Sequence, residues 1–454
     1  MSGTCGSEAQ LVAGWGRTAA TAATVLAPAT VADLHEAIRC SEGALIPRGL
    51  GRSYGDTAQS AGGTVVDCTR LDAIRMVDVE GARVTVAAGA SLDTLMRTLV
   101  PLGLFVPVTP GTRQVTVGGA IASDIHGKNH HHDGSFCDHV ESMVLDLADG
   151  RRLEVTPDDE SFWATAGGLG LTGVVVEATL RMRRVATSSM VVDTWRAADL
   201  DECMAGLEAS DTANRYSVAW IDCLAKGARL GRSVITCGEH AEVEDLPVRR
   251  RSRPLAFDPH SRLVAPDGFP PGLMNRATVG AFNEVWFRKA PRRRRASVQS
   301  IPAYFHPLDG VRGWNRLYGP RGFLQHQSVV PFGAESVLRT IVERLASSGC
   351  ASFLAVLKRF GPGNAGHLSF PMPGWTLALD LPIGPPALGP MLDELDELVV
   401  GAGGRTYLAK DSRMRPELVP AMYPRLDEWR AVQRRLDPQG RLRSDQARRL
   451  QLVL

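Results

Sequence analysis

The sequence predicts an α+β fold in two domains, and three observations carry that expectation. Through residues 1–186, short β-rich runs alternate with short helical runs and glycine loops. From Phe323 to Ile383 strand-like runs return, as FLQHQSVVPF, ASFLAVLKRF and WTLALDLPI. A chain of 454 residues also exceeds what one hydrophobic core usually serves.

Taken in order, Ala44–Pro47 reads as a strand running into the glycine loop Arg48–Gly55. Arg83–Ala88 alternates like a half-buried strand. Ser91 follows as an N-cap, with Leu92, Leu95, Met96 and Leu99 at one-face helical spacing and Gly103 as the stop. Val174–Met182 is β-branched and reads as a strand. From Glu239 to Arg295 the chain is polar, proline-bearing and arginine-rich, with dense runs at Arg249–Arg253 and Arg292–Arg295. It reads as long surface loops around a few apolar elements. The tail, Thr406–Leu454, holds a short strand and an amphipathic, arginine-rich helix pair.

Composition narrows the function classes. Apolar residues make up 44% and charged residues 22%, an ordinary globular balance. A net charge of +2 gives no global drive toward nucleic acid, and no nucleic-acid partner is expected. Cys5, Cys40, Cys68, Cys137, Cys203, Cys223, Cys237 and Cys350 are scattered without a C-x-x-C pair, as buried apolar thiols are. The first residues lack a basic start before an apolar core, and no run approaches ~18 apolar residues, so neither a signal peptide nor a membrane span is expected.

Gly168-Leu-Gly170-Leu-Thr-Gly173 fits the G-x-G-x-x-G pattern of dinucleotide folds. That pattern must open a helix whose N-terminus meets the pyrophosphate; here it leads into the strand VVVEATL, which rejects the reading. Two other loops say more. Arg48–Gly55 packs Gly49, Gly51 and Gly55 around Arg52, Ser53 and Tyr54, and Pro110-Gly111-Thr112 precedes Thr116-Val-Gly118-Gly119. Glycine permits close backbone approach, and consecutive amides form an anion-binding nest. Each loop alone is explained by an ordinary turn; together they fit an extended, pyrophosphate-bearing cofactor lying along the backbone.

The order PRGLGRSYGD, PGT…TVGGAIASDIHG, GGLGLTGVVVEATL resembles the vanillyl-alcohol-oxidase-type flavoproteins. Further along, DIHGKNHH, GSFCDHVESM, HPLDGVRGWNRLYGPRGFLQHQ, LKRFGPGNAGHLSFPMPGW, AKDSR and SDQARRL resemble one branch of them, the decaprenylphosphoryl-β-D-ribose 2′-oxidase family. The likeness extends over nearly the whole chain. It implies a two-part FAD-binding domain over 1–186, an antiparallel-sheet substrate-binding domain over 187–403 with mobile loops near 239–300, and a C-terminal segment, 404–454, returning to the FAD domain. It further implies oxidation of the 2′-hydroxyl of a lipid-linked ribose, for epimerisation to the arabinose donor of cell-wall arabinan. The FAD residues would be those of the first loop, Gly49, Gly51, Arg52, Ser53, Tyr54 and Gly55, with Gly111, Thr112, Thr116, Gly118, Gly119, Ser123, His126, Gly127, Gly173, Val175 and Tyr407. Many members hold the flavin covalently through a histidine where this chain has Arg52, so non-covalent FAD is expected.

Oxidising a secondary alcohol needs a base for the hydroxyl proton and an acceptor for the hydride. The candidate base is Lys410; by spacing alone it reads as a surface lysine paired with Asp411, and it is the resemblance that supplies the catalytic role. His126, His130, His131 and His132 suggest a metal, but no H-E-x-x-H-like carboxylate accompanies them, and no metal is expected. Gln325 and Gln327 alternate in FLQHQ and share one face of a strand, exposed or lining a polyol site. By resemblance Lys128, Trp220 and Lys358 line the substrate pocket, with Lys128 meeting a phosphate or hydroxyl.

Three positions depart from the family. Its pocket cysteine is Ala378 here, its neighbouring Asn is Thr376, and its Tyr before HPLD is Phe305. These keep open a paralogue acting on an alditol, a sugar lactone or a tailoring-pathway sugar. The arginine runs read as solvated charge or as a surface for anionic lipid. The resemblance also implies a nicotinamide-dependent keto-sugar reductase of the short-chain-dehydrogenase type as functional partner, and a peripheral position at the plasma membrane, on the cytoplasmic or periplasmic face, with the family suggesting the periplasm.

Overall fold

A computed structural model describes residues 8–266, 268, 270, 272, 274–350 and 352–453. Cys5 lies outside the described residues, as do four positions of the arginine-rich segment, 267, 269, 271 and 273. The fold is α+β, with a four-stranded and a five-stranded sheet in the N-terminal part and one eight-stranded antiparallel sheet after it, besides two two-stranded pairs.

The first sheet holds β1 (Ala9–Ala13), β2 (Ala20–Leu26), β3 (Leu45–Arg48) and β4 (Thr64–Asp67), in the order β1-β2-β4-β3. Between β2 and β3 runs α1 (Val31–Cys40), started by a Thr30–Asp33 capping box. The second sheet holds β5 (Ile74–Asp78), β6 (Arg83–Ala87), β7 (Val140–Asp146), β8 (Arg152–Val155) and β9 (Val174–Arg181), in the antiparallel order β5-β6-β9-β7-β8. Helix α2 (Leu92–Leu99) forms as its sequence requires. Ser91 accepts from the Thr94 amide, the four apolar residues are fully buried, and Gly103 closes the run at φ +77°. A short helix, α3 (Val117–Ala122), starts at Thr116, whose hydroxyl accepts from the Gly119 amide.

The large sheet holds β10 (Ser189–Ala197), β11 (Tyr216–Ile221), β12 (Ser233–His240), β13 (Arg293–Ser300), β14 (Phe323–Pro331), β15 (Ala355–Phe360), β16 (Gly374–Pro382) and β17 (Arg405–Thr406). Its order is β13-β10-β12-β11-β15-β16-β14-β17, antiparallel throughout. Helices α4 (Leu200–Asp211), α6 (Glu335–Ser348) and α7 (Leu388–Gly401) connect and cover its strands. The C-terminal helix α8 (Leu426–Leu436) lies on the N-terminal part, where Trp429 donates to the Ala164 carbonyl. Beyond it Leu45 and Leu442 bridge in parallel, and Arg449 pairs with Asp56.

The reading of Glu239–Arg295 as long loops is corrected here. The segment contains a 14-residue helix, α5 (Arg276–Lys289), and the start of edge strand β13, which takes up Arg293–Arg295. The helix begins at Asn275, whose side chain accepts from the Ala277 and Thr278 amides. Its apolar residues spread around it: Val279 is buried and Phe287 half-buried, while Phe282, Val285 and Trp286 are exposed. No single apolar stripe announces it.

Candidate active site

The three glycine loops converge. A Cβ on Gly49 would stand 2.2 Å from the Thr116 hydroxyl, so the first loop rests on the start of α3. Gly170, at φ +79°, presses on Pro47, and the Leu169 amide donates to the Ala122 carbonyl. The false dinucleotide motif is thus a buttress for the other two loops. Gly173 packs by Leu147 and Asp146, and Val175 pairs with Leu145 inside the second sheet. Among the described residues, the amides of Leu50, Gly51, Arg52 and Ser53 donate to no protein acceptor, and the Arg52 Nε is buried without a partner. Its guanidinium lies 3.9 Å over the Trp15 ring. Four unspent consecutive amides beside a buried cation suit a diphosphate. These residues therefore fit FAD. Gly111 has open space where a side chain would be, whereas the Thr112 hydroxyl is spent on Asp309 at 2.7 Å.

The sheet supplies the second wall. Gln325 pairs across with Asp380, and Gln327 with Ala378. Ala378 pairs in turn with Val356, Val356 with Trp220, and Lys358 with Thr376. Residues paired directly across strands share a face, so Gln325, Gln327, Trp220, Lys358, Thr376, Ala378 and Asp380 all point one way. This excludes the exposed-strand reading for Gln327, which is only 3% exposed, while Gln325 is half-buried against Asp380. Gln327 donates to the Thr376 hydroxyl at 3.2 Å.

His126 joins the two walls. Gln327 Nε2 and Lys358 Nζ lie 2.9 and 3.2 Å from its two ring nitrogens, and the ring packs against Phe360, Phe370 and Tyr407. Burial, then the charges of Lys358, His130 and Lys410, hold its pKa well below the usual range, so the imidazole is neutral. The remaining histidines point elsewhere: His130 packs on Phe360, His131 meets the Asn214 carbonyl, and His132 meets the Asp211 carbonyl. Gly127 is held close to Asn129, where a Cβ would stand 2.5 Å from its Oδ1.

The C-terminal segment brings the lysine. Tyr407 donates through its amide to the Gln327 carbonyl and through its hydroxyl to the Ser123 carbonyl, 2.7 Å away, tying the sheet to the second loop. A single 3₁₀ turn, Leu408–Lys410, follows; three residues per turn place Tyr407 and Lys410 on one side. The turn is clamped from behind, where Gln446 donates to the Leu408 carbonyl and Arg449 to Asp411. The alternative pairing of Lys410 with Asp411 does not form: Asp411 serves Arg449 and the Arg413 and Met414 amides. Lys410 instead stands 4.3 Å over the Tyr54 ring of the first loop. Burial lowers it to about 8, opposed by the charge of Asp380.

Two more half-buried lysines have lowered pKa values. Burial, with the neighbouring charge of Lys410, brings Lys358 to about 7. Lys128 falls to about 7 by burial and the charge of Lys358, and its ammonium donates to the Tyr304 carbonyl over that ring.

Sequence reasoning missed Asp380. It accepts from Gln325, its second oxygen is buried without a partner, and burial raises it to about 7. A signal existed: Asp380 is the lone acid in WTLALDLPI, on the same parity as Thr376 and Ala378.

Loops, neutral imidazole and a lysine of lowered pKa define a class, the FAD-dependent oxidoreductases that act on an alcohol. The FAD binding domain family matches residues 22–156. The decaprenylphosphoryl-β-D-ribose oxidase of Mycolicibacterium smegmatis is 47% identical over 448 residues, covering 97% of each chain. This chain belongs to that oxidase family. An uncharacterised Streptomyces coelicolor protein is 45% identical over 80% of this chain and 100% of its own. A Streptomyces alditol oxidase is 28% identical over 35% of this chain and 39% of its own.

Proposed function

We propose that this protein oxidises the 2′-hydroxyl of a polyprenylphosphoryl-β-D-ribose to the 2′-keto sugar, the first half of an epimerisation to the arabinose donor of cell-wall arabinan. One observation carries the reading: the sheet face that presents Gln325, Gln327, Lys358 and Asp380 also meets Lys410 at the mouth of the flavin cradle. When bound, FAD supplies the acceptor for the hydride leaving C2′. The residues expected to hold it are the first-loop amides, Arg52, the turn at Gly118 and Gly119, and Tyr407, without a covalent bond.

Lys410, in its neutral form, takes the hydroxyl proton as the C–H bond breaks. A pKa near 8 leaves a usable neutral fraction at physiological pH and a conjugate acid that readily gives its proton to solvent. The two glutamines orient the ribose hydroxyls, and neutral His126 holds Gln327 in place. Lys358 and Lys128 are poised near 7, so a phosphodiester anion draws protons back onto them and gains two cationic partners. The keto product would pass to a nicotinamide-dependent keto-sugar reductase of the short-chain-dehydrogenase type. Peripheral contact with the plasma membrane, on the periplasmic face, accords with a lipid-tailed substrate; among the described residues no helix is long and apolar enough to cross a membrane.

Ala378, half-open on the sheet face, favours one second reading, a paralogue with a different polyol. Anaerobic stopped-flow reduction separates them. Prenylphosphoryl ribose should bleach the flavin. Bleaching by free alditols alone assigns the paralogue, and no bleaching by any sugar removes the catalytic reading.

A further inference from the structure

Helix α5 carries an apolar ridge that stays exposed among the described residues. Phe282, Val285 and Trp286 are 40, 65 and 44% exposed and lie at i, i+3 and i+4, on one face. Phe282 and Trp286 stack on each other at 5.9 Å. Nearby in the chain, Leu263 and Val264 are 65 and 62% exposed. The flank is basic: between residues 276 and 295 stand Arg276, Arg288, Lys289 and Arg292–Arg295, all exposed, against the single carboxylate Glu284.

The ridge is continuous with the site. Ring contacts run from Trp286 to Phe282, then to Phe353 at 5.4 Å, Tyr318 at 6.3 Å, Phe323 at 4.1 Å and Tyr54 at 5.3 Å, under Lys410. Met274, at the head of α5, packs on the same cluster, as does Val311, which pairs with Leu263. Thus a packed aromatic cluster joins Lys410 to an exposed apolar ridge flanked by cations.

We propose that this ridge is a docking face for an anionic phospholipid bilayer, which it holds beside the mouth of the flavin site. Exposed aromatics with an arginine and lysine flank match the interfacial depth and the negative headgroups of such a surface. A second copy of this chain matches poorly, because the cations would face their own kind. A prenyl tail then stays in the bilayer while the sugar enters the site. The tail argument rests on the substrate reading above; the docking itself does not.

Flotation tests it with flavin-loaded full-length protein. On vesicles of phosphatidylcholine with phosphatidylglycerol the protein should float, and less so at high salt. Val285→Glu and Trp286→Glu should each float about tenfold less, and R292Q/R293Q/R294Q/R295Q should lose binding to the anionic vesicles. Leu11→Glu, on the exposed first strand, should float like the parent. Equal flotation by Val285→Glu, or no preference for the anionic vesicles, overturns the proposal. So does a sedimenting dimer that Val285→Glu dissolves, since it gives the face to a second copy. Flavin bleaching by a short-tailed, water-soluble prenylphosphoryl ribose should be unchanged in Val285→Glu. Flotation without any bleaching leaves the docking face standing and removes the substrate reading; bleaching without flotation does the reverse.

Discussion

The glycine cradle and the sheet face meet at Lys410, yet they are built by opposite means. The cradle is local. Gly49, Gly51 and Gly55 lie within seven residues of one another, and their task is to leave room: a Cβ on Gly55 would stand 2.2 Å from the Asp411 carbonyl. The sheet face is long-range. Trp220, Gln327, Lys358, Ala378 and Asp380 come from four strands and are aligned only by register. A cradle of backbone tolerates almost no added atom, whereas a face of side chains can be edited one group at a time. The difference predicts abrupt failure in the first region and graded failure in the second.

Gly55→Ala should have the largest effect. The new methyl meets backbone, which cannot turn aside, so the first loop must shift and Lys410 with it. The expected outcome is protein purified without flavin, read by its visible absorbance, with far-UV circular dichroism near that of the parent. Full flavin occupancy would show that the cradle yields as the face does.

Lys410→Ala should keep the flavin but slow its reduction by roughly 10²–10⁴-fold, the usual worth of a positioned base. In the parent, the neutral form of Lys410 is the reactive one. The reduction rate should therefore rise about tenfold per pH unit below its pKa of about 8 and level off above it. A profile flat from about pH 6 to 9 would remove Lys410 as the base.

How each region showed in the sequence follows from the same contrast. The loops were legible because glycine spacing is local and the close approaches it permits are few. Helix α2 was legible for the same reason, with cap, stripe and stop inside one window. Lys410 was ambiguous, because its surroundings come from Tyr54 and Asp380, hundreds of residues upstream and on another strand. Asp380 was missed because only the pairing of β14 with β16 brings it to Gln325. Lys128 was placed in the pocket, and its bond to the Tyr304 carbonyl needed the fold to be seen. Helix α5 reads as loop from the sequence, because Val285 and Phe287 fall on opposite sides and its apolar residues match no single stripe.

Asp380→Asn sharpens the long-range side. The carboxylate's charge favours the protonated form of Lys410, so the amide should lower that pKa and move the acid limb of the profile to lower pH. Asparagine can still accept from Gln325, which keeps the packing. An unmoved limb would mean that Asp380 does not act on the lysine. Ala378 offers a chemical test of the same face. The described cysteines are elsewhere and all but Cys40 are buried, so an electrophile that traps a pocket thiol should leave the parent unlabelled and add one equivalent to Ala378→Cys. A stoichiometric adduct on the parent would contradict this.

Thr376→Val should have the smallest effect. Thr376 is fully buried and its hydroxyl accepts from Gln327 at 3.2 Å. Valine keeps the volume and removes the acceptor, which costs about 1 kcal/mol, or about fivefold, where a neutral hydrogen bond is lost. Gln327 keeps its contact with His126, so the amide stays in place with one donor unpaired. The loss should fall on kcat/KM for the sugar and leave the flavin spectrum and the pH limb unchanged. If Thr376→Val also released the flavin, the face and the cradle would be one unit, and the contrast between them would not hold.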